Sequence, residues 1–458
     1  MSSYIKEKKS HSYTWLAWLS VALLVANVYH TKLIQLIFPF FSVGAITVLL
    51  IVSTGLLLLY FITEKKLRIT ELRFSETDIM ILLCLVVILV TSGFDFDNIT
   101  YLVRFALLFL LVFLMKYDEK MIKIIIVCVV VAGLIHVAAT LFLYFDQDFY
   151  LRYVYPTFDA DTRANLYSWN IVNGYATGLT VHFSSNGVLI SIAFIATSVL
   201  LYCNKKKYRW IFAVLTLVSL IALFMTGKRA PLVYTIFAIA VAYLLCNRSP
   251  VLTKLCIALI TVLGGVIVLF FATQNIESIG ATLNRFTAFF NDSESFDVSN
   301  GRFKLYSIAW DYFLSAPIFG IGWREFSKRV VVFFHEDTSF RDAHNVFLQL
   351  LCETGIVGFL IFTTFFILAF ALTIHLVISY RRGDIILSET AKLGLIMSVC
   401  AQIYFLCYCM TGNPLYDTFM LYFYMFAVGI ASYIRFHYEK MPALEKSKVK
   451  RNPFRYLR

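Results

Sequence analysis

The chain has 458 residues, of which 60% are hydrophobic and only 15% charged, and its mean hydropathy is +0.77; a soluble globular domain is roughly half apolar and a quarter charged. These values exclude a soluble enzyme and a disordered polymer, and no soluble segment is long enough to act alone. The formal net charge of +12 does not indicate nucleic-acid binding, because the cations gather in short loops between apolar blocks, where they record topology and contact with anionic lipid.

Apolar blocks of the length that crosses a ~30 Å hydrocarbon core recur along the chain. In lipid they must be helices, because each backbone N–H and C=O needs an internal partner. Twelve spans are predicted, centred near residues 21, 52, 86, 107, 133, 192, 217, 238, 262, 362, 401 and 426, with a re-entrant or interfacial piece around Pro39. The expected fold is therefore an all-α integral membrane bundle. Helices one to five lie in 1–145, a first outer loop in 146–181 and helices six to nine in 182–272. A large, partly helical outer loop fills 273–344, helices ten to twelve fill 345–437, and a basic tail occupies 438–458. Of the 40 Lys and Arg residues, 27 fall in alternate loops and at the two termini. Positive loops stay cytoplasmic, so both termini are expected inside and the number of spans is even. The nine cysteines form no disulfide framework or zinc pattern and suit core packing. The basic N-terminus has no small-residue cleavage site after it, so the first apolar run is expected to be retained as a span.

The elaborated loops lie on the face with few cations, and no phosphate-binding glycine loop occurs on the other. Energy must then come from an ion gradient or from an activated substrate. Lys228 and Arg229 occupy a tight turn, Thr226-Gly227-Lys228-Arg229-Ala230-Pro231, that departs from the charge pattern of the outer loops. Cations at such depth are costly and commonly functional, and a helix N-terminus here favours an anion; the alternative is a snorkelling pair on lipid headgroups. Arg302 opens an amphipathic segment with Phe303, Tyr306, Ile308, Trp310 and Phe313, expected to lie on the bundle or the membrane surface. By itself it reads as a solvated charge. Pro317-Ile318-Phe319-Gly320-Ile321-Gly322-Trp323 supplies a turn through which backbone can approach closely. His344-Asn345 opens span ten, and a histidine there can exchange a proton near neutral pH or simply cap the helix. Eight residues on from Asn345, Glu353 is expected ~12 Å into the membrane, where a carboxylate needs a partner. Gly355 and Gly358 read as close helix contacts, and Glu353, Gln402 and Asp417 as one polar network.

Together these features resemble the O-antigen polymerase and O-antigen ligase family of bacterial envelope glycosyltransferases. The resemblance rests on T-G-K-R-A at 226–230, N-G-R at 300–302, P-x-x-G-x-G at 317–322 and A-H-N-x-x-L-x-x-L-x-E-x-G-x-x-G at 343–358, and covers about residues 180–375. It implies an enzyme of the cytoplasmic membrane. Such an enzyme transfers a glycan from an undecaprenyl-diphosphate carrier to an acceptor hydroxyl on the outer side, with no nucleotide sugar, cofactor or obligatory metal. Arg229, Arg302 and His344 match the family's catalytic positions. Lys228, Trp323, Asn345 and Glu353 are expected to contact the diphosphate or sugar, with Trp169 and Trp310 as further stacking candidates. The implied partners are the lipid-linked oligosaccharide, membrane lipids, and the chain-length regulator and flippase of the same pathway. Within the family a polymerase of capsular, exopolysaccharide or O-antigen repeats is expected; the alternatives are ligase-type transfer and, from another class, a transporter or flippase of lipid-linked sugars. A transporter should show related halves, which this sequence lacks.

Overall fold

The computed structural model describes residues 13–29, 43–64, 72–93, 96–204, 206–247, 302–333 and 342–438. The expected ninth span near 262, the segment around Pro39, residues 273–301 of the large loop, and the basic tail lie outside the described residues.

Among the described residues all regular structure is helical. The helices are α1 (Thr14–Tyr29), α2 (Val43–Thr63), α3 (Glu76–Thr91), α4 (Phe96–Met115), α5 (Glu119–Phe145), α6 (Ala160–Tyr167), α7 (Phe183–Cys203), α8 (Arg209–Met225) and α9 (Arg229–Cys246). After them come α10 (Arg302–Ser315), α11 (Glu325–Phe333), α12 (Val346–Arg382), α13 (Glu389–Cys409) and α14 (Thr418–Tyr438). Eleven of the twelve expected span centres fall on these helices. Among the described residues seven helices are long and apolar enough to cross a membrane: α4, α5, α7, α9, α12, α13 and α14. The apolar parts of α1, α2 and α8 are shorter, and α3 has 16 residues. Of the twelve expected spans, seven are thus met by helices of spanning length and composition among the described residues, and four more expected centres fall on these shorter apolar helices.

Successive long helices alternate in direction, and polar caps gather their ends on two faces. On one face Ser75 and Asp78 form a reciprocal capping box at the start of α3, and Asp78 also pairs with the buried Lys116 at the end of α4. Arg435 near the end of α14 bonds Glu76 at 2.6 Å, and His437 meets the Lys116 carbonyl at 2.8 Å. Ser388, the N-cap of α13, bonds Glu119 at the start of α5. This is the basic face. On the opposite face the Tyr101 hydroxyl donates to the Leu415 carbonyl, and Ala176 N to the Met225 carbonyl at 2.9 Å. The buried core between the faces is dominated by α5, α7, α12, α13 and α14.

One break in this pattern sets the architecture of the second face. Gly355 interrupts α12 at φ 64°, ψ −170°, a region essentially reserved for glycine. A straight helix would hold residues 347 and 366 roughly 28 Å apart, yet the rings of Phe347 and Phe366 are 6.4 Å apart. The arms 346–354 and 356–382 therefore fold back on each other, and only the second has the length of a span. This corrects two expectations. Gly355 is a hinge more than a close helix contact, and Glu353 is not ~12 Å below Asn345 but at the top of the hairpin, beside Tyr416 at the entrance to α14.

The turn before α11 stitches into this hinge. Ile321 N and Gly322 N donate to the carbonyls of Cys352 (2.9 Å) and Glu353 (3.0 Å), while Ile356 N donates to the Pro317 carbonyl (2.9 Å). A Cβ at Gly355 would lie 2.2 Å from the Ile318 carbonyl oxygen, and one at Gly320 (φ 72°) 2.3 Å from the Glu353 carbonyl carbon. The P-x-x-G-x-G and E-x-G motifs are thus two halves of one backbone joint. Gly355→Ala should destabilise the protein by about 3 kcal/mol or more, from the forbidden φ/ψ and the clash together. Thermal unfolding in detergent checks this; an unchanged melting temperature would mean that the hinge is not needed.

Candidate active site

The motif cations stand at helix ends on the second face. α8 ends at Met225, Lys228 is the N-cap of α9, and Arg229 is its first residue. The Lys228 ammonium lies 4.9 Å from the centroid of the Phe183 ring at the start of α7, a cation–π contact. Lys228 and Arg229 are both half-buried and engaged with neighbours. Arg302 is the first residue of α10. Leu305 and Ala309 of that helix bury against Ala343 and Cys352, so the helix docks on the short arm of α12 and carries Arg302 to the segment that holds His344. Arg302 makes no hydrogen bond or ion pair with the described residues, but it acts electrostatically on His344, on Tyr234 of α9 and on Tyr408 of α13.

His344 itself has a left-handed backbone, φ 51°. This costs a non-glycine residue about 1–3 kcal/mol and persists only where the surroundings over-determine it. Gln349 does much of that work. Its Oε1 accepts Ala343 N at 3.1 Å and Asn413 Nδ2 at 2.6 Å, and its Nε2 donates to Glu353 Oε1 at 3.1 Å and to Asp342 Oδ1 at 3.5 Å. Asp342 is held from the other side by the Ser327 hydroxyl at 2.7 Å. Asn345 caps α12, its Oδ1 accepting Phe347 N and Leu348 N at 3.0 and 3.2 Å. Residues on both sides of His344 are therefore fixed, while its imidazole makes no hydrogen bond with the described residues. Burial holds its pKa below the usual histidine value; the positive charges of Arg302 and Lys228 add to this, and Asp342 opposes it. The ring is neutral at pH 7, with a nitrogen lone pair available.

Of the residues singled out from sequence, Lys228 and Arg302 thus both act electrostatically on His344. Arg302 and Lys228 are the cations acting most strongly on His344; Arg229 follows Lys228 in the chain at the same helix end. Two other expectations need correction. Trp323 is 0% exposed, stacked on Tyr416 and Phe362 with centroids at 5.0 and 5.8 Å, so it presents no face to a sugar. Glu353 is also 0% exposed. Its carboxylate accepts Arg324 N (2.9 Å), Phe326 N (3.3 Å), the Tyr416 hydroxyl (2.7 Å) and Gln349 Nε2 (3.1 Å). It caps α11 and joins three segments, leaving no oxygen for substrate. Nor do the three polar residues form one network: Gln402 bonds Thr373 and Ser398 within the bundle, while Asp417 accepts Phe419 N. Glu353→Ala would strand the backbone N–H groups of Arg324 and Phe326 and the Tyr416 hydroxyl and should cost about 3–5 kcal/mol, with Glu353→Gln milder; melting temperatures of the two variants provide the check.

Gln349, Asp342, Asn413 and Tyr416 escaped the sequence reading. Gln349 stood inside the quoted motif four residues before Glu353, a spacing that places both on one helical face, and that was the available signal.

The fold and this face define a polytopic helical membrane protein with a cationic, histidine-bearing centre at one end of its bundle. Residues 214–363 match the family model described as O-antigen ligase, a stretch that holds Lys228, Arg229, Arg302 and His344 and lies within the region of resemblance. The likeness to the O-antigen polymerase and ligase family is borne out over that third of the chain, and its members are membrane glycosyltransferase-like enzymes. No curated protein matches the chain.

Proposed function

We propose that this protein is a membrane glycosyltransferase that joins undecaprenyl-diphosphate-linked oligosaccharide repeats into a longer polysaccharide on the outer face of the cytoplasmic membrane. The observation that carries the reading is that two cations, Lys228 and Arg302, act electrostatically on the His344 imidazole, which makes no hydrogen bond among the described residues. The acceptor hydroxyl oxygen attacks the anomeric carbon, and the C1–O bond to the diphosphate breaks with its electron pair on the phosphate oxygen. Arg302, with Lys228 and Arg229, holds the charge that grows there. His344 takes the hydroxyl proton. Attack opposite the departing diphosphate inverts the anomeric centre. The outward orientation rests on the basic loops of the opposite face.

Purified protein in lipid nanodiscs, given a lipid-linked repeat unit, should produce a ladder of products, each one repeat longer than the last. The description of the matching family favours a second reading, transfer of a finished glycan to another acceptor. That activity would give a single transfer product on an added acceptor and no ladder.

A further inference from the structure

A second imidazole stands beside Lys228. His182 is the N-cap of α7, and its Nδ1 accepts the Ser184 backbone N–H at 2.9 Å. A backbone N–H can only donate, so Nδ1 carries the lone pair and the ring proton resides on Nε2. The ring is clamped by aromatic neighbours: it stacks on Phe183 with centroids 4.4 Å apart and interplanar angle 19°, and meets Trp169 of the first large loop edge-on at 4.2 Å. The same Phe183 ring receives the Lys228 ammonium at 4.9 Å. His182 is half-buried, and its Nε2–H donates to none of the described residues. Burial and the nearby Lys228 charge hold its pKa at about 4, so the imidazole cannot serve as a cation near neutral pH. It is a fixed, neutral donor.

Lys228 therefore acts on two imidazoles, His182 from the start of α7 and His344 from the entrance to α12. We propose that His182, through Nε2–H, is a binding residue for a phosphoryl oxygen of the polyprenyl diphosphate, sharing that anion with Lys228. This deepens the function proposed above and rests on it. The division of labour follows from hydrogen-bond chemistry. His344 must keep a lone pair to accept a proton, whereas His182 has its lone pair engaged by Ser184 and can only donate. Trp169 and Phe183 supply rigidity by holding the ring plane, which ties the otherwise unassigned first loop to the site.

The test uses full-length protein in nanodiscs and geranyl diphosphate as the probe, with binding read by calorimetry. His182→Asn keeps a side-chain oxygen that can cap Ser184, while its amide N–H groups lie on a side chain too short to reach the position of Nε2–H, so affinity should fall about five- to tenfold, as for one lost hydrogen bond, with the melting temperature preserved. Replacement of His182 by Nε2-methylhistidine removes only the N–H and should give the same loss. Wild-type affinity in both variants would overturn the proposal. If Arg302→Ala weakens binding while both His182 variants bind normally, the diphosphate site stands and His182 is only a cap. If Arg302→Ala also binds normally, or the wild-type protein does not bind the probe, the diphosphate reading falls with it.

Discussion

Arg302→Ala should lower chain extension by about a hundred- to a thousandfold, the usual cost of removing one preorganised group that stabilises charge in a transition state. The protein should remain folded in the membrane, because the α10 contacts that dock it on α12 come from Leu305 and Ala309, one and two turns away. Arg302→Lys should recover only part of the loss, since an ammonium cannot grip two phosphate oxygens in a planar fork. The variants are compared by initial rate of ladder formation with a saturating lipid-linked repeat, alongside elution profile and melting temperature. Normal polymer length from Arg302→Ala would remove the electrostatic role assigned to it.

His344 carries the other large effect. Replacement by Gln or Gly should slow transfer by about a hundred- to ten-thousandfold if it acts as general base. Gly is informative because it accepts the left-handed backbone at φ 51° without strain, so His344→Gly should be at least as stable as wild type while losing activity. The pH dependence has a defined sign. The base works in its neutral form, and burial, with Arg302 and Lys228, lowers its pKa below the ordinary 6.5. Activity should therefore be flat above neutral pH, and its acid limb should lie below that of an unperturbed histidine. Lys228→Gln removes a charge that lowers this pKa, so the acid limb should move to higher pH. Asp342→Asn removes a charge that raises it, so the limb should move to lower pH. In His344→Gln the limb should vanish, and the remaining rate should rise with hydroxide. A uniform loss at every pH would make His344 a positioning residue.

Sequence by itself determined that the chain is a helical membrane bundle, because the solvent imposes internal backbone pairing on any long apolar block and the 3.6-residue period does the rest. It also singled out Lys228, Arg302 and His344, in polar breaks between apolar blocks, as candidates for the proposed chemistry. Three things were decided only by tertiary structure. The first is the hairpin at Gly355, since a single glycine reads equally as a packing contact or a hinge until the docked loop from Pro317 to Gly322 shows which backbone groups it satisfies. The second is the fate of Trp323 and Glu353, which carry the same side chains whether facing substrate or sealed against Tyr416. The third is the presence of His182 beside Lys228, 46 residues apart in the chain. Local pattern specifies which segments are apolar and where charge is tolerated, whereas hydrogen-bond satisfaction between distant segments selects which polar group is committed to the scaffold and which is left to bind.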